Sequence, residues 1–336
     1  MRKRILSSKV TRLAGLTIVM CIVFYLIKPV FFGRINVTTL FNDLTPIGFM
    51  LLGVVPLMIS GGIDLAAAAE GAIGSMLFAQ LLVWFPNVPW TVCIIVALLA
   101  GAVMGYIIVL AKEKLGLFPF IASLGLQSIY NGFASLWTKS NDIVIARTSY
   151  TGLARTALFK WIPVPFIFMV VLVVVYAFIM KHTTIGRKAY IVGGNAAAAR
   201  LAGVSTNRVQ CFYFINAGVM AVLAGCAWAA QKKLASPTKL QVAAPNFSAI
   251  SAGVLGGIAF GGGGGTIFGA FVAMILVKVF TSGMILMGLA SYFSILMQGG
   301  ILILALVLDN LSARRAERAR RAAAMRSAHY EAQPQA

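Results

Sequence analysis

The sequence predicts an all-α polytopic membrane protein with about ten transmembrane helices. The first observation is composition, because 60% of the 336 residues are hydrophobic and only 11% are charged. A single soluble core of this size does not hide that much apolar surface. The second observation is that apolar runs near 20 residues recur along the chain, and a helix of that length crosses the hydrocarbon core of a bilayer.

The apolar runs divide into ten candidate spans. Gly and Pro interrupt several of them, so a count from eight to eleven also fits. The first run follows Arg2, Lys3 and Arg4, as in a secretory signal peptide, but it is long and no small-residue cleavage site closes it, so we expect a retained span. The candidate spans are residues 13–32, 44–59, 65–84, 91–111, 117–137, 163–180, 207–230, 247–260, 266–282 and 291–308.

The distribution of Lys and Arg predicts that both ends of the chain are cytoplasmic. With ten spans and this orientation, 18 basic residues lie in or next to the cytoplasmic segments, 9 lie in or next to the outer segments and Lys278 lies in the interior of a span. Cytoplasmic loops carry such an excess. We therefore expect a basic cytoplasmic N-terminus at residues 1–12, a single transmembrane domain at 13–311 and a basic cytoplasmic tail at 312–336.

The net charge of +20 does not indicate nucleic acid as a partner, because the charges lie between apolar segments and form no long basic face with interleaved aromatics. The cysteines lie in apolar runs without CxxC spacing, so we interpret them as packing residues. Small residues four apart predict close contact between helices. Those residues are Ala97, Gly101 and Gly105 in one run, and Ala217, Ala221, Gly225 and Ala229 in another.

Signs of catalysis are missing from the sequence. No Gly-Lys pair occurs, so the chain lacks a phosphate-binding loop for ATP. The two histidines, His182 and His329, form no metal-ligand pattern, and no nucleophile–base set is visible. The glycine run at 261–265 lies between two spans, which favours a tight turn. Transport without chemistry on this chain is therefore the leading class of function.

Ionisable residues inside apolar segments are costly and are candidates for function. Asp64 follows the Gly61–Gly62 pair and either caps the next helix or lines a pathway. Glu70 faces either a central pathway or a neighbouring helix. Lys278 either pairs with an acid or extends toward the membrane surface.

Polar side chains also form a stripe on one candidate span. Ser123, Gln127, Asn131 and Ser135 are four residues apart and share one helical face. Such a stripe faces either a buried hydrogen-bond network or a water-filled path. We take Asp64, Glu70, Ser123, Gln127 and Asn131 as the candidate translocation path.

The segment at 185–209 is neither apolar enough to span a bilayer nor polar enough to be a flexible loop. Asn195 can cap a helix that starts at Ala196, and Gly203 can end it. Ala197, Leu201 and Val204 then form a narrow apolar face. Two turns are too short to be stable alone, so the segment is either a plug for a groove on a partner protein or an ordinary loop.

Three separated blocks resemble the permease subunits of bacterial ABC importers of the ribose/xylose/galactose type, a group that includes autoinducer-2 permeases. The blocks are ISGGIDL (59–65), IGRKAYIVGGNAAAARLAGV (185–204) and VLGGIAFGGGGGTIFGA (254–270), and they occur in family order. The middle block carries most of the resemblance, through Gly186, Arg187, Tyr190, Gly193, Gly194, Asn195, Ala198, Leu201 and Gly203.

The resemblance implies a role for the middle block as the coupling helix, which sits in a cleft of the ATPase. Transferred to this chain, the coupling residues are Gly186, Arg187, Tyr190, Gly193, Gly194, Asn195, Ala197, Ala199, Leu201, Gly203 and Val204. It also implies that ATP and Mg²⁺ are held by a separate ATPase subunit, with no cofactor on this chain. Two permeases, identical or paralogous, would pair around one path in the inner membrane, and a periplasmic sugar-binding protein would dock outside.

The chain departs from the family at the first block, which usually continues Asp-Leu-Ser-Val-Gly-Ser. Here four alanines follow Leu65 and lead to Glu70. The departure leaves the solute open and permits a heteromeric pair of permeases. We expect an ATP-driven importer of a monosaccharide-like solute; the alternative is a proton-coupled secondary transporter that uses Glu70 or Asp64.

Overall fold

The computed structural model describes residues 9–146, 150–152, 156–158 and 161–289, together with residues 293, 296, 299, 300, 303 and 307. Twelve α-helices have both ends within these residues. They are α1 Lys9–Ile27, α2 Arg34–Ile59, α3 Ala67–Trp84, α4 Trp90–Leu115, α5 Pro119–Thr138, α6 Val164–His182, α7 Thr184–Gly194, α8 Ala196–Leu201, α9 Thr206–Lys232, α10 Lys239–Ala243, α11 Pro245–Leu255 and α12 Ile267–Leu286.

The remaining elements are short. A 3-10 helix, Pro29–Phe32, joins α1 to α2. Four two-residue strands make two small antiparallel pairs: β1 Ile143–Val144 with β4 Leu234–Ala235, and β2 Ala157–Leu158 with β3 Ile162–Pro163. The described chain is therefore almost wholly helical.

Seven of the described helices are long and apolar enough to cross a membrane: α1 (from Val10), α2, α3, α4, α6, α9 and α12. This confirms an all-α polytopic membrane protein. Helix α5 is 20 residues long, but its polar stripe keeps it out of this set. The predicted span at 291–308 lies outside the described residues apart from isolated positions, so the count of about ten stays a prediction.

The predicted span at 247–260 is a shorter helix in the structure. Helix α11 has 11 residues, from Pro245 to Leu255, so it rises about 16 Å and crosses roughly half of a hydrocarbon core. It ends where Gly256 and Gly257 follow, and Gly257 has φ +100°. A side chain at Gly256 would lie 2.5 Å from the Ala270 backbone, so the turn packs directly on α12.

Helix α2 forms the centre of the bundle and begins earlier than the sequence predicted. The predicted span started at residue 44, whereas α2 starts at Arg34 and continues through Pro46 and Pro56. Almost every residue from Leu44 onward is buried. Polar residues interrupt the apolar run between positions 34 and 43, so the sequence did not reveal these first turns of α2.

Small residues bring α9 close to its neighbours, as their spacing predicted. An added Cβ at Gly101 of α4 would lie 2.6 Å from the Gly218 carbonyl oxygen, and one at Gly225 would lie 2.1 Å from that of Gly71 in α3. Neither site has room for a methyl group. Close backbone contact of this kind is how helices associate in lipid.

Helix α9 has 27 residues and a length of about 40 Å, so it connects two ends of the bundle. At its start lie α7 and α8, and we call this the α8 end. At its finish lie β4, which pairs with β1, and α10; we call this the strand end. The Tyr150 hydroxyl donates to the Cys226 carbonyl at 2.8 Å and thereby ties a long connection to α9 near the strand end.

Candidate functional site

Helix α8 has the cap and the stop that the sequence predicted. The Asn195 side-chain oxygen accepts hydrogen bonds from the backbone N–H groups of Ala197 and Ala198, each at 3.0 Å. This satisfies two of the free donors at the start of the helix. Gly203 follows the helix with φ +78°, a conformation that glycine adopts without steric cost.

The surface of α8 divides into a buried side and a free side. Ala199 is fully buried against its own chain, whereas Leu201 is 92% exposed. Ala197 is exposed and Val204 is half-buried. An exposed leucine at the tip of a six-residue helix offers one apolar contact to a partner, and Ala199 is not available for such a contact.

Helix α7 folds back tightly onto the end of α6. The Thr183 hydroxyl oxygen caps α7 by accepting from the Gly186 N–H at 3.4 Å. A side chain at Gly186 would lie 2.3 Å from the Met180 carbonyl oxygen, so only glycine fits. The Arg187 guanidinium donates to the His182 carbonyl at 3.1 Å. These contacts fix the direction in which α8 leaves the bundle.

The three sequence blocks meet at the α8 end in a cluster that we call the glycine junction, made of Gly61, Gly193, Gly262 and Gly263. The Gly263 N–H donates to the carbonyl of Ile59, the last residue of α2, at 2.8 Å. An added Cβ at Gly193 would lie 1.9 Å from that same oxygen, and one at Gly262 would lie 2.9 Å from the Gly61 backbone. Three backbones are therefore in direct contact.

The Tyr190 side chain connects α7 to the glycine run that follows the glycine junction. Its hydroxyl donates to the Gly265 carbonyl at 2.9 Å, and burial raises the pKa of Tyr190, so the ring stays neutral. Beside it lies a cavity of about 730 Å³ whose lining includes Lys181, Arg187 and Thr266. The glycine junction links the end of α7, directly before α8, to the end of α2 by backbone contact. Tyr190 adds a side-chain hydrogen bond from α7 to the segment before α12.

Asp64 and Glu70 lie in the interior of the bundle and are fully buried. One Asp64 oxygen accepts from the Ala66 N–H at 2.8 Å, which closes the turn before α3. The other Asp64 oxygen and both Glu70 carboxylate oxygens have no hydrogen-bond partner among the described residues. Asp64 therefore closes the turn before α3 without capping the helix itself, and Glu70 bonds to no neighbouring helix within the described part of the chain.

The break between α2 and α3 is held by two side chains at Leu65. Its N–H donates to the Ser123 hydroxyl oxygen at 3.2 Å, and its carbonyl accepts from the Asn246 amide at 3.1 Å. Ser123 therefore belongs to a buried hydrogen-bond network, while Gln127 and Asn131 are half-buried further along α5. Asn246 carries no local motif, so the sequence alone does not single it out as part of the site.

Lys278 pairs with an acid, which decides between its two sequence-level alternatives. Its ammonium lies 3.0 Å from an Asp43 carboxylate oxygen. The pair lines a cavity of about 390 Å³ that we call the Asp43–Lys278 cavity. Its other lining residues are Pro46, Ile47, Trp228, Gln231, Lys232, Leu240, Val242, Ala243, Pro245, Ser248, Met274, Val277, Thr281 and Ile285.

Residues 36–306 match the family described as branched-chain amino acid transport system / permease component. The chain belongs to this permease family. The match includes α2 through α12, and so takes in the glycine junction, the Asp43–Lys278 cavity and the buried acids. The family assignment therefore applies to every site described above.

The permease is similar along most of its length to curated permease proteins, including permeases for ribose and allose. The ribose import permease protein RbsC of Bacillus subtilis is 31% identical over 292 residues, which cover 87% of this chain and 89% of that protein. The probable ABC transporter permease protein YphD of Escherichia coli is 30% identical over 310 residues, 91% and 92% of the two chains. The D-allose transport system permease protein AlsC of E. coli is 27% identical over 278 residues, 82% and 83%.

No solved structure shows a significant match to this permease. Its family and relatives nevertheless define its class, since they are permease subunits of ATP-driven importers. In such transporters ATP is hydrolysed on a separate subunit, so this chain is a transport subunit and carries no ATPase site of its own. Permeases of this kind work with an ATPase and a substrate-binding protein.

Proposed function

We propose that this permease moves a monosaccharide-like solute across the bacterial inner membrane by alternating access. The observation that carries the proposal is the end-to-end similarity to the ribose permease RbsC and the allose permease AlsC. Selectivity in such a system resides mainly in the binding protein, so the membrane path needs only weak polar contacts. The scarcity of charged residues, 11% of the chain, agrees with this.

The proposed coupling element consists of α7, α8 and the residues that hold them. Leu201, exposed at the tip of α8, would enter a cleft of the ATPase, and Gly193 and Tyr190 would transmit its displacement through the glycine junction. The buried Ala199 would fix α8 on the bundle and would not touch the partner. Support comes from the direct backbone contact of Gly193 with Ile59 at the end of α2.

The proposed topology has about ten spans with the α8 end in the cytoplasm. Residues 1–12 and 312–336 would be cytoplasmic, and residues 13–311 would form the permease domain. The strand end would then face the periplasm, where β1 and β4 join the two long connections into one surface.

The proposed assembly contains two copies of this permease, or one copy with a paralogue, together with an ABC ATPase and a periplasmic sugar-binding protein. ATP and Mg²⁺ would be bound by the ATPase alone. The candidate path residues Asp64, Glu70, Ser123, Gln127 and Asn131 stay a prediction. Of these, Asp64, Glu70 and Ser123 lie inside one protomer, where they are buried.

Uptake into proteoliposomes tests the proposal. The permease is reconstituted with its ATPase and binding protein, and entry of D-ribose and D-allose is measured with ATP and, separately, with a proton gradient alone. ATP-dependent entry of either sugar is expected. Sugar accumulation by the permease alone, driven by the proton gradient, would refute it and favour the secondary transporter.

A further inference from the structure

The Asp43–Lys278 cavity is lined by an ion pair whose two members come from the membrane-spanning helices α2 and α12. Lys278 is the twelfth residue of α12 and Asp43 is the tenth of α2. At 1.5 Å per residue, Lys278 lies about 17 Å from the start of α12 and Asp43 about 14 Å from the start of α2. Both positions lie away from the ends of their helices, which are long and apolar enough to cross a membrane.

Neither side chain of this ion pair is fully buried. The side-chain exposed fractions are 41% for Asp43 and 24% for Lys278. Charged groups within membrane-spanning segments are costly against lipid and therefore face water or protein. The wall that carries them is consequently not a lipid-facing surface.

The lining of the cavity extends to the strand end. Lys232 at the end of α9, Val242 and Ala243 of α10, and Pro245 at the start of α11 all lie on its lining. These residues belong to the elements that follow α9 at that end of the bundle. Its volume of about 390 Å³ falls in the range of about 300–1,000 Å³ that is usual for small-molecule sites.

Polar groups in the lining have capacity left for a ligand. The Gln231 side-chain nitrogen is buried and has no hydrogen-bond partner among the described residues. The Thr281 hydroxyl donates to the Lys278 carbonyl at 3.1 Å, so its oxygen can still accept. A carboxylate accepts several hydrogen bonds and an ammonium donates three. Donors and acceptors thus share the lining of the cavity with the ring of Trp228.

We propose that the Asp43–Lys278 cavity is the site at which a small polyhydroxylated solute first contacts the permease after release at the strand end. This rests on the proposed function as a monosaccharide permease. Hydroxyl groups both donate and accept, so they match a wall with Asp43, Lys278 and Gln231, whereas an apolar solute would leave these groups unpaired. A solute of single charge would compete with one member of the ion pair.

The two other roles for the ion pair make different predictions. A purely structural pair requires opposite charges in either order, so exchanging them by Asp43→Lys with Lys278→Asp restores transport. A contact surface between two permeases would be closed to reagents from outside. A solute site depends on the position of donor and acceptor and is open at the strand end.

The first experiment measures uptake of D-ribose and D-allose by the assembled importer in proteoliposomes. Lys278→Met and Asp43→Asn are each expected to lower uptake about tenfold or more, the equivalent of one charge-assisted hydrogen bond, while assembly with the ATPase persists. The matched control is Lys239→Met, which removes a second ion pair, Lys239–Asp142, at the same end but outside the cavity lining. It is expected to keep uptake within about twofold of wild type.

Two results of this experiment overturn the proposal. One is uptake within about twofold of wild type in both cavity variants. The other is recovery of uptake by the charge exchange, because a pair that works in either order is structural. If wild type imports neither sugar, the proposed monosaccharide function fails, and the cavity is then judged by the second experiment.

The second experiment labels the cavity from outside and does not depend on the identity of the solute. Thr281→Cys is placed in a background with the four native cysteines changed to alanine, and a membrane-impermeant methanethiosulfonate is added from the strand end. Fast labelling that arrests transport or, without sugar import, abolishes ATPase stimulation by the binding protein supports the site. Absence of labelling, or a disulfide between two permeases at this position, overturns it.

Discussion

Replacing Gly193 by alanine tests the glycine junction, because the next residue, Gly194, provides a matched control. A Cβ at Gly193 would lie 1.9 Å from the Ile59 carbonyl oxygen and 2.6 Å from the Gly263 nitrogen. Ordinary C···O contacts are about 3.3 Å, so the junction must open by about 1.4 Å. That movement also lengthens the Gly263–Ile59 hydrogen bond, which measures 2.8 Å.

The expected cost follows from these contacts. Overpacking a tight site costs about 1–3 kcal/mol, and weakening one backbone hydrogen bond adds about 1 kcal/mol. Alanine regains up to about 1 kcal/mol in helix propensity. Gly193→Ala is therefore expected to destabilise the permease by about 1–3 kcal/mol. At Gly194 no described atom lies within 4 Å of an added Cβ, so Gly194→Ala is expected to be neutral or slightly stabilising.

Thermal unfolding in detergent and ATPase stimulation in the assembled importer measure the effect. Gly193→Ala is expected to lower the apparent melting temperature by about 2–6 °C and to reduce stimulation of the ATPase by the binding protein, whereas Gly194→Ala keeps both. If the two variants behave alike, or if Gly194→Ala is the more damaging, the three backbones do not meet as described and the reasoning fails.

Three further variants give separate outcomes. Leu201→Asp is expected to reduce ATP-driven uptake about tenfold or more with an unchanged melting temperature, while Val144→Asp, also at an exposed position but at the strand end, does not; equal losses would contradict a coupling role. Glu70→Gln is expected to keep ATP-driven uptake, since no described partner is lost; an uptake loss with an active ATPase would instead implicate the carboxylate. Partial burial raises the pKa of Asp142, but hydrogen bonds from Lys239 and Ser236 outweigh it and hold that pKa below its usual value. The pair therefore stabilises above about pH 4, and Asp142→Asn is expected to cost at most about 1 kcal/mol at pH 7, with melting curves of the two proteins converging toward pH 3; a constant difference would contradict the ion pair.

Local features of the α8 end could be predicted from the sequence. Asn195 and Gly203 mark the start and the end of α8, because capping and positive φ depend on single residues and their neighbours. The spacing of Ala217, Ala221 and Gly225 likewise indicates which face of α9 packs closely. Both signals act over a few residues, so a single sequence contains them.

Long-range partners could not be predicted in the same way. Lys278 needed an acid inside the membrane, but Asp43 stood outside the predicted span because polar neighbours hid the first turns of α2. Asn246 holds the Leu65 carbonyl across 181 positions of sequence, and no periodic pattern encodes that contact. The resemblance identified three blocks, but only the fold shows that they touch.

The contact between Gly61, Gly193 and Gly262 also has a consequence for biogenesis. The first and last of these positions are separated by about two hundred residues, and the ribosome adds about 5–20 residues per second. The carbonyl end of α2 therefore waits many seconds in the nascent chain for its Gly263 donor. This hydrogen bond can therefore form only late in biogenesis, and a permease truncated before residue 263 would lack it.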